Sequence, residues 1–390
     1  MLKSCFRNRV ITFLLSLAMV FVLLCSAYPI ATTEALDESS SSRRAKCLNS
    51  LERYVYDELA KQIKLIAKGE RDNAVISIDL TSKINKGPFT AEELGLDSLV
   101  GSNGSYTAEA SNLALEKALG SFKTDMITYA LMYDAPYELY WYDKTLGCSQ
   151  NLYYSTGGKR DRIGITSVNL VFRFIVSKDY SASGERYTYN LSTNKAKATA
   201  NALTKAKSIV DAAKGKSDYD KLVYYKDQIC NLASYNHSAA FDPNVRKLYG
   251  DPYQLIYVFD GNSSTNVTCE GYSKAFKLLC DLTSFNSPEI ACHLVSGTMQ
   301  GGTGAGPHMW NVVHMDDGHN YMVDITNCDK DTAGYPDKLF LKGDSAGNSN
   351  RYSINMGSIS TSYQYDSITQ SVFFPVERTI HTSDYVKNSA

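Results

Sequence analysis

The order of apolar and polar positions divides the chain into helical and extended segments. In the helical segments, apolar residues recur with the spacing of one face of an α-helix. In the first of them, Leu51, Val55 and Leu59 share one broad apolar face. Helices are therefore predicted at 47–68, 109–133, 193–213, 217–233 and 251–259, and from Cys269 to about residue 283.

Other segments alternate apolar and polar residues or are rich in aromatic and β-branched residues, which is typical of strands. The glycine-rich stretch 297–307 lacks the Gly-Lys-Ser/Thr ending of a phosphate-binding loop, so an ordinary loop is predicted there. The strands are predicted at 74–80, 137–143, 167–177 and 289–296, with an edge strand at 371–376.

The N-terminus has the organisation of a secretory signal peptide. Basic residues precede an uncharged apolar run at 10–25, which is short for a membrane-spanning helix and typical of a signal-peptide core. The signal peptide is expected to span 1–27 or 1–35. A lipid anchor at Cys25 is not expected, because no small residue directly precedes that cysteine. The mature protein is therefore expected to be secreted, with no membrane contact.

The charge balance bears on the partners of the protein. The 390 residues include 40 Lys and Arg against 41 Asp and Glu. No net field attracts nucleic acid or an anionic membrane, so no nucleic-acid partner is expected.

The cysteines allow more than one interpretation. Nine are present, and Cys5 and Cys25 leave with the predicted signal peptide, so seven remain. An oxidising compartment permits disulfides, and Cys280 and Cys292 are close enough in the chain to pair. The odd number leaves one thiol as a candidate for reactivity.

Cys269 begins a predicted helix in the stretch TCEGYSKAFKLLC, with Thr268 as the expected N-cap. The unpaired N–H groups and the positive dipole end of a first turn stabilise a thiolate. Gly271 would let backbone or substrate approach closely. Considered alone, Cys269 could equally be a buried packing residue or half of a disulfide.

Two predicted strands follow, PHMWNVVHM at 307–315 and HNYMVDITNCD at 319–329. The Asp-Asp-Gly between them suits a three-residue hairpin loop with glycine in the left-handed conformation. That loop pairs Met315 with His319. A two-residue loop would shift the register by one and reverse the faces.

In this register His308, Trp310, Asp324 and Thr326 share one face of the hairpin. His308 and Asp324 are diagonal neighbours within reach of a hydrogen bond. The other face is almost entirely apolar and is expected to pack on the core.

A thiol, an imidazole and a carboxylate in these positions predict nucleophilic thiol chemistry. His308 would take the proton of Cys269, Asp324 would orient the imidazole, and the thiolate would attack a carbonyl. The alternatives are a structural histidine and a Cys/His zinc site, although no close pair of cysteine ligands supports zinc. No metal or cofactor is predicted, and Trp310 is predicted to contact the substrate.

The segments CEGYSKAF, HMWNVV and YMVDIT resemble the three blocks of the transglutaminase-like superfamily, usually Cys-x-Gly-Tyr, His-x-Trp-Asn and Val-Asp-x-Thr. The resemblance covers about 215–330. It implies a papain-like α+β core, with the nucleophilic cysteine at a helix N-terminus on an antiparallel sheet, and a triad of Cys269, His308 and Asp324. Met309 and Asn327 depart from the usual pattern and are expected to affect the pocket wall more than the triad.

The resemblance implies a secreted acyl-transfer enzyme that acts on protein or peptide amides. An amine acceptor gives cross-linking, and water gives hydrolysis. A non-catalytic binding or structural module on the same scaffold is one alternative, and a cysteine peptidase or amidase is another. A papain-type protease is disfavoured, because Cys269 and His308 are too close in the chain for that layout.

The predicted organisation has four parts. Residues 1–35 form the signal peptide and the start of a linker, and 36–190 form a mixed α/β accessory domain. This accessory domain has no cluster of His, Cys and carboxylate residues, so it is expected to contribute no catalytic residue. Residues 191–345 form the transglutaminase-like core. Residues 346–390 form an extension that completes the sheet or packs on the core.

Overall fold

The computed structural model describes residues 9–11, 44–241, 253–262, 265–302, 304–344, 350–372 and 379–387. These residues form two antiparallel sheets and a set of helices, in agreement with the predicted α+β class. The predicted signal peptide, including Cys25, lies outside the described residues except for a short strand at Arg9–Ile11. Across the described ranges, no helix is both long and apolar enough to cross a bilayer.

The first sheet has four strands in the order β1-β3-β4-β2, and every pairing is antiparallel. Its centre is the long hairpin of β3 and β4, which turns Leu170, Phe172 and Phe174 into the core. Its strands are β1 (Arg9–Ile11), β2 (Val75–Asp79), β3 (Cys148–Lys159) and β4 (Arg162–Phe174).

The second sheet has five antiparallel strands in the order β7-β6-β5-β9-β8. A C-terminal strand, β9, therefore lies directly beside β5. Gly297 on β5 permits this contact, because a Cβ atom there would lie 1.9 Å from the carbonyl oxygen of Gln364. The strands are β5 (Ala291–Gly301), β6 (Gly304–His314), β7 (Asn320–Val323), β8 (Arg351–Asn355) and β9 (Ser360–Tyr365).

The helices surround the sheets, and several carry local signals for their ends. The first begins with a capping box, in which Asn49 and Glu52 satisfy each other's backbone N–H groups. The helices are α1 (Ser50–Ala67), α2 (Ala108–Leu119), α3 (Thr124–Asp134), α4 (Thr193–Ala198), α5 (Ala200–Ala212), α6 (Asp218–Leu232), α7 (His237–Phe241), α8 (Tyr253–Phe259), α9 (Cys269–Asp281), α10 (Ile325–Cys328) and α11 (Ser367–Val372).

Several predicted segments have a different structure. The predicted helix 109–133 is divided into α2 and α3, and the predicted helix 193–213 into α4 and α5. The predicted strand 137–143 is a buried chain of turns whose aromatic side chains pack against Phe174. The predicted loop 297–307 belongs to the hairpin of β5 and β6, where Gly301 pairs with Gly304. Of the predicted edge strand, residues 371–372 end α11 and the rest lie outside the described residues.

The N-terminal region packs directly on the second sheet. The guanidinium group of Arg44 donates to the carbonyl oxygen of Leu294 on β5 and lies 4.1 Å from the ring centre of Tyr133. The hydroxyl group of Tyr133 is hydrogen-bonded to Ser296 on the same strand. These contacts are buried, so the surfaces they join would become exposed if the regions were separated. The boundaries at residues 190 and 345 stay predictions.

Candidate active site

Cys269 is the first residue of α9 and is half-buried. Thr268 occupies the N-cap position with an extended backbone, but its side chain does not cap the helix. Gly271 serves the packing of this turn, because a Cβ atom there would lie 2.5 Å from Cβ of Val267. The close approach predicted at Gly271 is therefore made by Val267, which precedes the helix.

Helix α9 is held on β6 by two buried side-chain hydrogen bonds. The hydroxyl group of Ser273 donates to the carbonyl oxygen of Met309 at 2.8 Å. The amide of Asn311 donates to the carbonyl oxygen of Ser273 at 3.1 Å. Because Ser273 lies one turn after Cys269 and Met309 follows His308, these bonds fix the helix start relative to the histidine.

The predicted hairpin register is confirmed. The backbone N–H of Met315 donates to the carbonyl oxygen of His319 at 2.9 Å, and Gly318 has a φ of 78°. Asn311 pairs with Val323, as the three-residue loop requires. The pairing ends there, because the next residues turn into α10. Thr326 therefore lies in a helix and does not face His308.

The side chains of His308 and Asp324 meet as predicted. Nε2 of His308 lies 2.8 Å from Oδ2 of Asp324, which is completely buried. The hydroxyl group of Tyr363 and the side-chain amide of Asn327 each donate to the same oxygen at 2.7 Å. Oδ1 accepts the backbone N–H of Asn327 at 3.2 Å and so caps α10. Four donors thus converge on one carboxylate.

Two of the residues that donate to Asp324 were not predicted to do so from the sequence. Asn327 was expected on the pocket wall, but it binds the carboxylate directly. Tyr363 had no signal, because it lies on β9, 39 positions after Asp324. The side-chain amide of Asn311, on the same strand as His308, faces α9. The pairing of strands distant in sequence brings Tyr363 to the site.

Cys269 lies near enough to His308 to interact with it electrostatically. Nε2 of His308 faces Asp324, so Nδ1 is the ring nitrogen available to a thiol. Burial lowers the pKa of His308, but the negative charge of Asp324, together with Cys269, outweighs burial and raises it to about 10. Burial likewise opposes ionisation of Asp324, yet His308, Asn327 and Tyr363 keep the pKa of this carboxyl below its usual value. The Asp324 carboxylate therefore favours the imidazolium form of His308.

Trp310 lies in the core beside His308, and none of its side chain is exposed. Its ring is nearly parallel to the imidazole, at 16° and 5.9 Å between centres. Its Nε1–H donates to the hydroxyl group of Tyr352, and its ring also lies beside the rings of Tyr363 and Tyr365. In this arrangement Trp310 supports the imidazole and does not reach a substrate, so its predicted binding role gains no support.

A small cavity of about 170 Å³ lies beside this cluster and is lined by Met299, Gly306 and Tyr363, among others. A cavity of about 640 Å³ is lined by His293 and His314, among others, and contains none of the three predicted catalytic residues. Among the residues that the structure describes, no three His, Cys, Asp or Glu side chains are arranged to hold a metal ion.

Comparisons with known proteins add little to this geometry. No family model matches the chain, and no curated protein matches it. One solved structure that matches is described as "Crystal structure of a TGase", with 18% identity and a TM-score of 0.27. The aligned region covers 44% of this chain and 43% of that chain, so it spans less than half of either. This likeness identifies no activity.

Proposed function

We propose that the chain is a secreted thiol acyl-transfer enzyme of the transglutaminase-like type, built on a papain-like core. It acts on protein or peptide amides through Cys269, His308 and Asp324. The observation that carries the proposal is the geometry at His308, whose Nε2 lies 2.8 Å from the Asp324 carboxylate and whose imidazole interacts electrostatically with Cys269 at the start of α9. This is the arrangement that an activated thiol requires.

The reaction follows from these contacts. The thiolate of Cys269 attacks the amide carbonyl carbon, and the backbone N–H of the same residue stabilises the developing oxyanion. The imidazolium of His308 gives its proton to the departing amine, which leaves a thioester on Cys269. An amine or a water molecule then loses a proton to His308 and attacks the thioester, which releases the product and the thiol. Asp324 orients the imidazole and stabilises its charged form.

The half-exposed position of Cys269 supports catalysis over the non-catalytic module, because a nucleophile must be reachable. Cys280 is buried, whereas Cys230 is partly exposed like Cys269 but differs from it in its surroundings. Burial raises the pKa of Cys230 to about 12 and holds the pKa of Cys280 well above its usual value. These two thiols are internal controls for a labelling experiment.

The test is alkylation of the folded protein with iodoacetamide across pH, followed by mass spectrometry of the modified peptides. Cys269 should react first and should stay reactive at a pH where ordinary thiols are protonated. Faster reaction of Cys230 or Cys280 would contradict the assignment of the nucleophile.

A second measurement separates an enzyme from an idle module. The protein is incubated with a glutamine-containing peptide, quenched in acid, and the Cys269 peptide is searched for the mass of a thioester. Cys269→Ala is the matched control. An enzyme gives the adduct in the wild type alone, whereas a module shows alkylation of Cys269 but no adduct. Hydrolysis of the thioester by water would identify an amidase or peptidase. Transfer of the acyl group to an added amine would identify a cross-linking enzyme.

A further inference from the structure

The N-terminal region places a buried lysine against the first turn of α9. Nζ of Lys144 lies 2.6 Å from Oε2 of Glu270, the residue directly after Cys269. The two side chains are only 10% and 11% exposed. A residue more than a hundred positions earlier in the chain thus forms a buried ion pair beside the proposed nucleophile.

The turn that carries Lys144 is held firmly. The carboxylate of Asp143 accepts the backbone N–H and the hydroxyl group of Thr145, and the backbone N–H of Asp143 donates to the carbonyl oxygen of Ile175. Arg186 lies 3.8 Å from the other carboxylate oxygen of Asp143. The backbone around Lys144 is therefore fixed to the end of β4, so the direction of its side chain is not set by Glu270 alone.

Glu270 is shared by two cations. Lys274, one turn further along α9, forms an ion pair with its other oxygen, and the Lys274 side chain is 6% exposed. These three charged side chains therefore lie at the first turn of α9 and are largely removed from water.

The charged groups that act on Lys144 include Cys269. Burial lowers the pKa of Lys144, Glu270 raises it, Lys274 lowers it, and the negative form of Cys269 raises it, with a net value of about 8. An attraction between two charges is reciprocal, so whatever the thiolate contributes to the Lys144 ammonium, the ammonium contributes to the thiolate.

We infer that Lys144 is a positioning residue for Cys269: its ammonium group holds Glu270 on the first turn of α9 and supplies positive charge beside the thiolate. The inference rests on the proposed function, because it assigns a role toward that nucleophile. It also brings a residue of the 36–190 region next to the active site, while the expectation that this region contributes no catalytic residue stays a prediction.

The experiment compares three variants of the full chain with the wild type. Lys144→Gln removes the charge but keeps a hydrogen-bond donor for Glu270, and Lys144→Arg restores the charge. Lys277→Met is the matched control. Lys277 is on α9, the helix that begins at Cys269; its side chain is 2% exposed, and it pairs with Asp281 at 2.7 Å. Each variant is alkylated with iodoacetamide from pH 5 to pH 10, and the modification of Cys269 is quantified. Circular dichroism establishes that each is folded.

Lys144→Gln should move the pH midpoint of Cys269 alkylation up by about one unit and slow the reaction at pH 6 by about tenfold. Lys144→Arg should recover most of the wild-type profile, and Lys277→Met should leave it unchanged. If Lys144→Gln does not fold, Lys144→Met and the recovery by Lys144→Arg give the same comparison.

Two outcomes overturn the inference while the proposed function stands: an unchanged profile in Lys144→Gln, or an equal shift in Lys277→Met. In both, the wild-type Cys269 remains the fastest thiol. If the wild-type Cys269 itself shows no enhanced reactivity at low pH, the proposed function fails and the inference falls with it.

Discussion

Replacing Asp324 by asparagine separates the charge of the carboxylate from its shape. Three side-chain donors converge on Oδ2, whereas Oδ1 accepts one weaker backbone bond. The asparagine amide should therefore turn its oxygen toward His308, Asn327 and Tyr363, and its NH₂ toward the helix cap. In that orientation the oxygen still accepts from Nε2–H, so the tautomer of His308 is preserved, whereas the negative charge and the bond that caps α10 are lost.

The size of the effect follows from the charge. The pKa of His308 rises from 6.5 to about 10, which corresponds to about 5 kcal/mol in favour of the imidazolium. Burial opposes this shift, so Asp324 and Cys269 together supply more than the net value. If Asp324 supplies about half of the net value, the substitution weakens the imidazolium by about 2.5 kcal/mol, or about 10²-fold. That loss is smaller than the roughly 10⁴-fold typical of a triad forced into the wrong tautomer.

The assay is the rate of Cys269 alkylation at pH 6, together with formation of the thioester on a glutamine-containing peptide. Asp324→Asn should slow both by about 10²-fold and leave the folded fraction nearly intact, whereas Cys269→Ala should abolish both. If the variant folds and its alkylation profile matches the wild type, the carboxylate has only a structural role. A loss near 10⁴-fold would show instead that the amide has turned the other way and imposed the wrong tautomer.

Three further predictions follow from the same contacts. Tyr363→Phe removes one bond to a buried carboxylate and should lower the free energy of unfolding by about 1.5–3 kcal/mol in a urea titration; no change would mean that a water replaces the hydroxyl group. Stabilisation by the His308–Asp324 pair should be complete between about pH 4 and 6.5 and decline as the pH rises toward 10, because the pKa of His308 is raised and that of Asp324 is lowered. Urea titrations of the wild type and His308→Gln at pH 5 and pH 9 should differ more at pH 5; a larger difference at pH 9 would reverse the sign. Gly297→Ala forces a Cβ atom against β9 and should lower the melting temperature by about 10 °C or more, and a stable variant would show that β9 can move away.

Local patterns predicted much of the site. The register of the β6–β7 hairpin follows from the Asp-Asp-Gly loop alone, because a three-residue turn leaves one pairing of Asn311 with Val323. The meeting of His308 with Asp324 follows from that register. The strand does not continue past Val323, since the side chain of Asp324 caps a helix. At such a position the residue pattern is compatible with both a continuing strand and a helix cap, so it does not distinguish between them.

Contacts between residues far apart in the chain could not be predicted from the sequence. Tyr363 and Lys144 reach the site from β9 and from a turn after the buried aromatic stretch, and neither carries a local pattern that points to Cys269. The 137–143 segment was predicted as a strand because its residues have a high preference for strands, but burial on all sides is compatible with turns as well. Pairing between distant parts of a chain is decided by the complete core.

The late position of β9 has a consequence for synthesis. Tyr363 leaves the ribosome 39 residues after Asp324, so every earlier member of the cluster is made before its last donor. At about 5–20 residues per second, this interval lasts on the order of several seconds. During that time the nascent polypeptide already contains its thiol and imidazole, but the carboxylate lacks the hydroxyl group of Tyr363. The set of donors around Asp324 is therefore complete only after β9 has been made and has paired with β5.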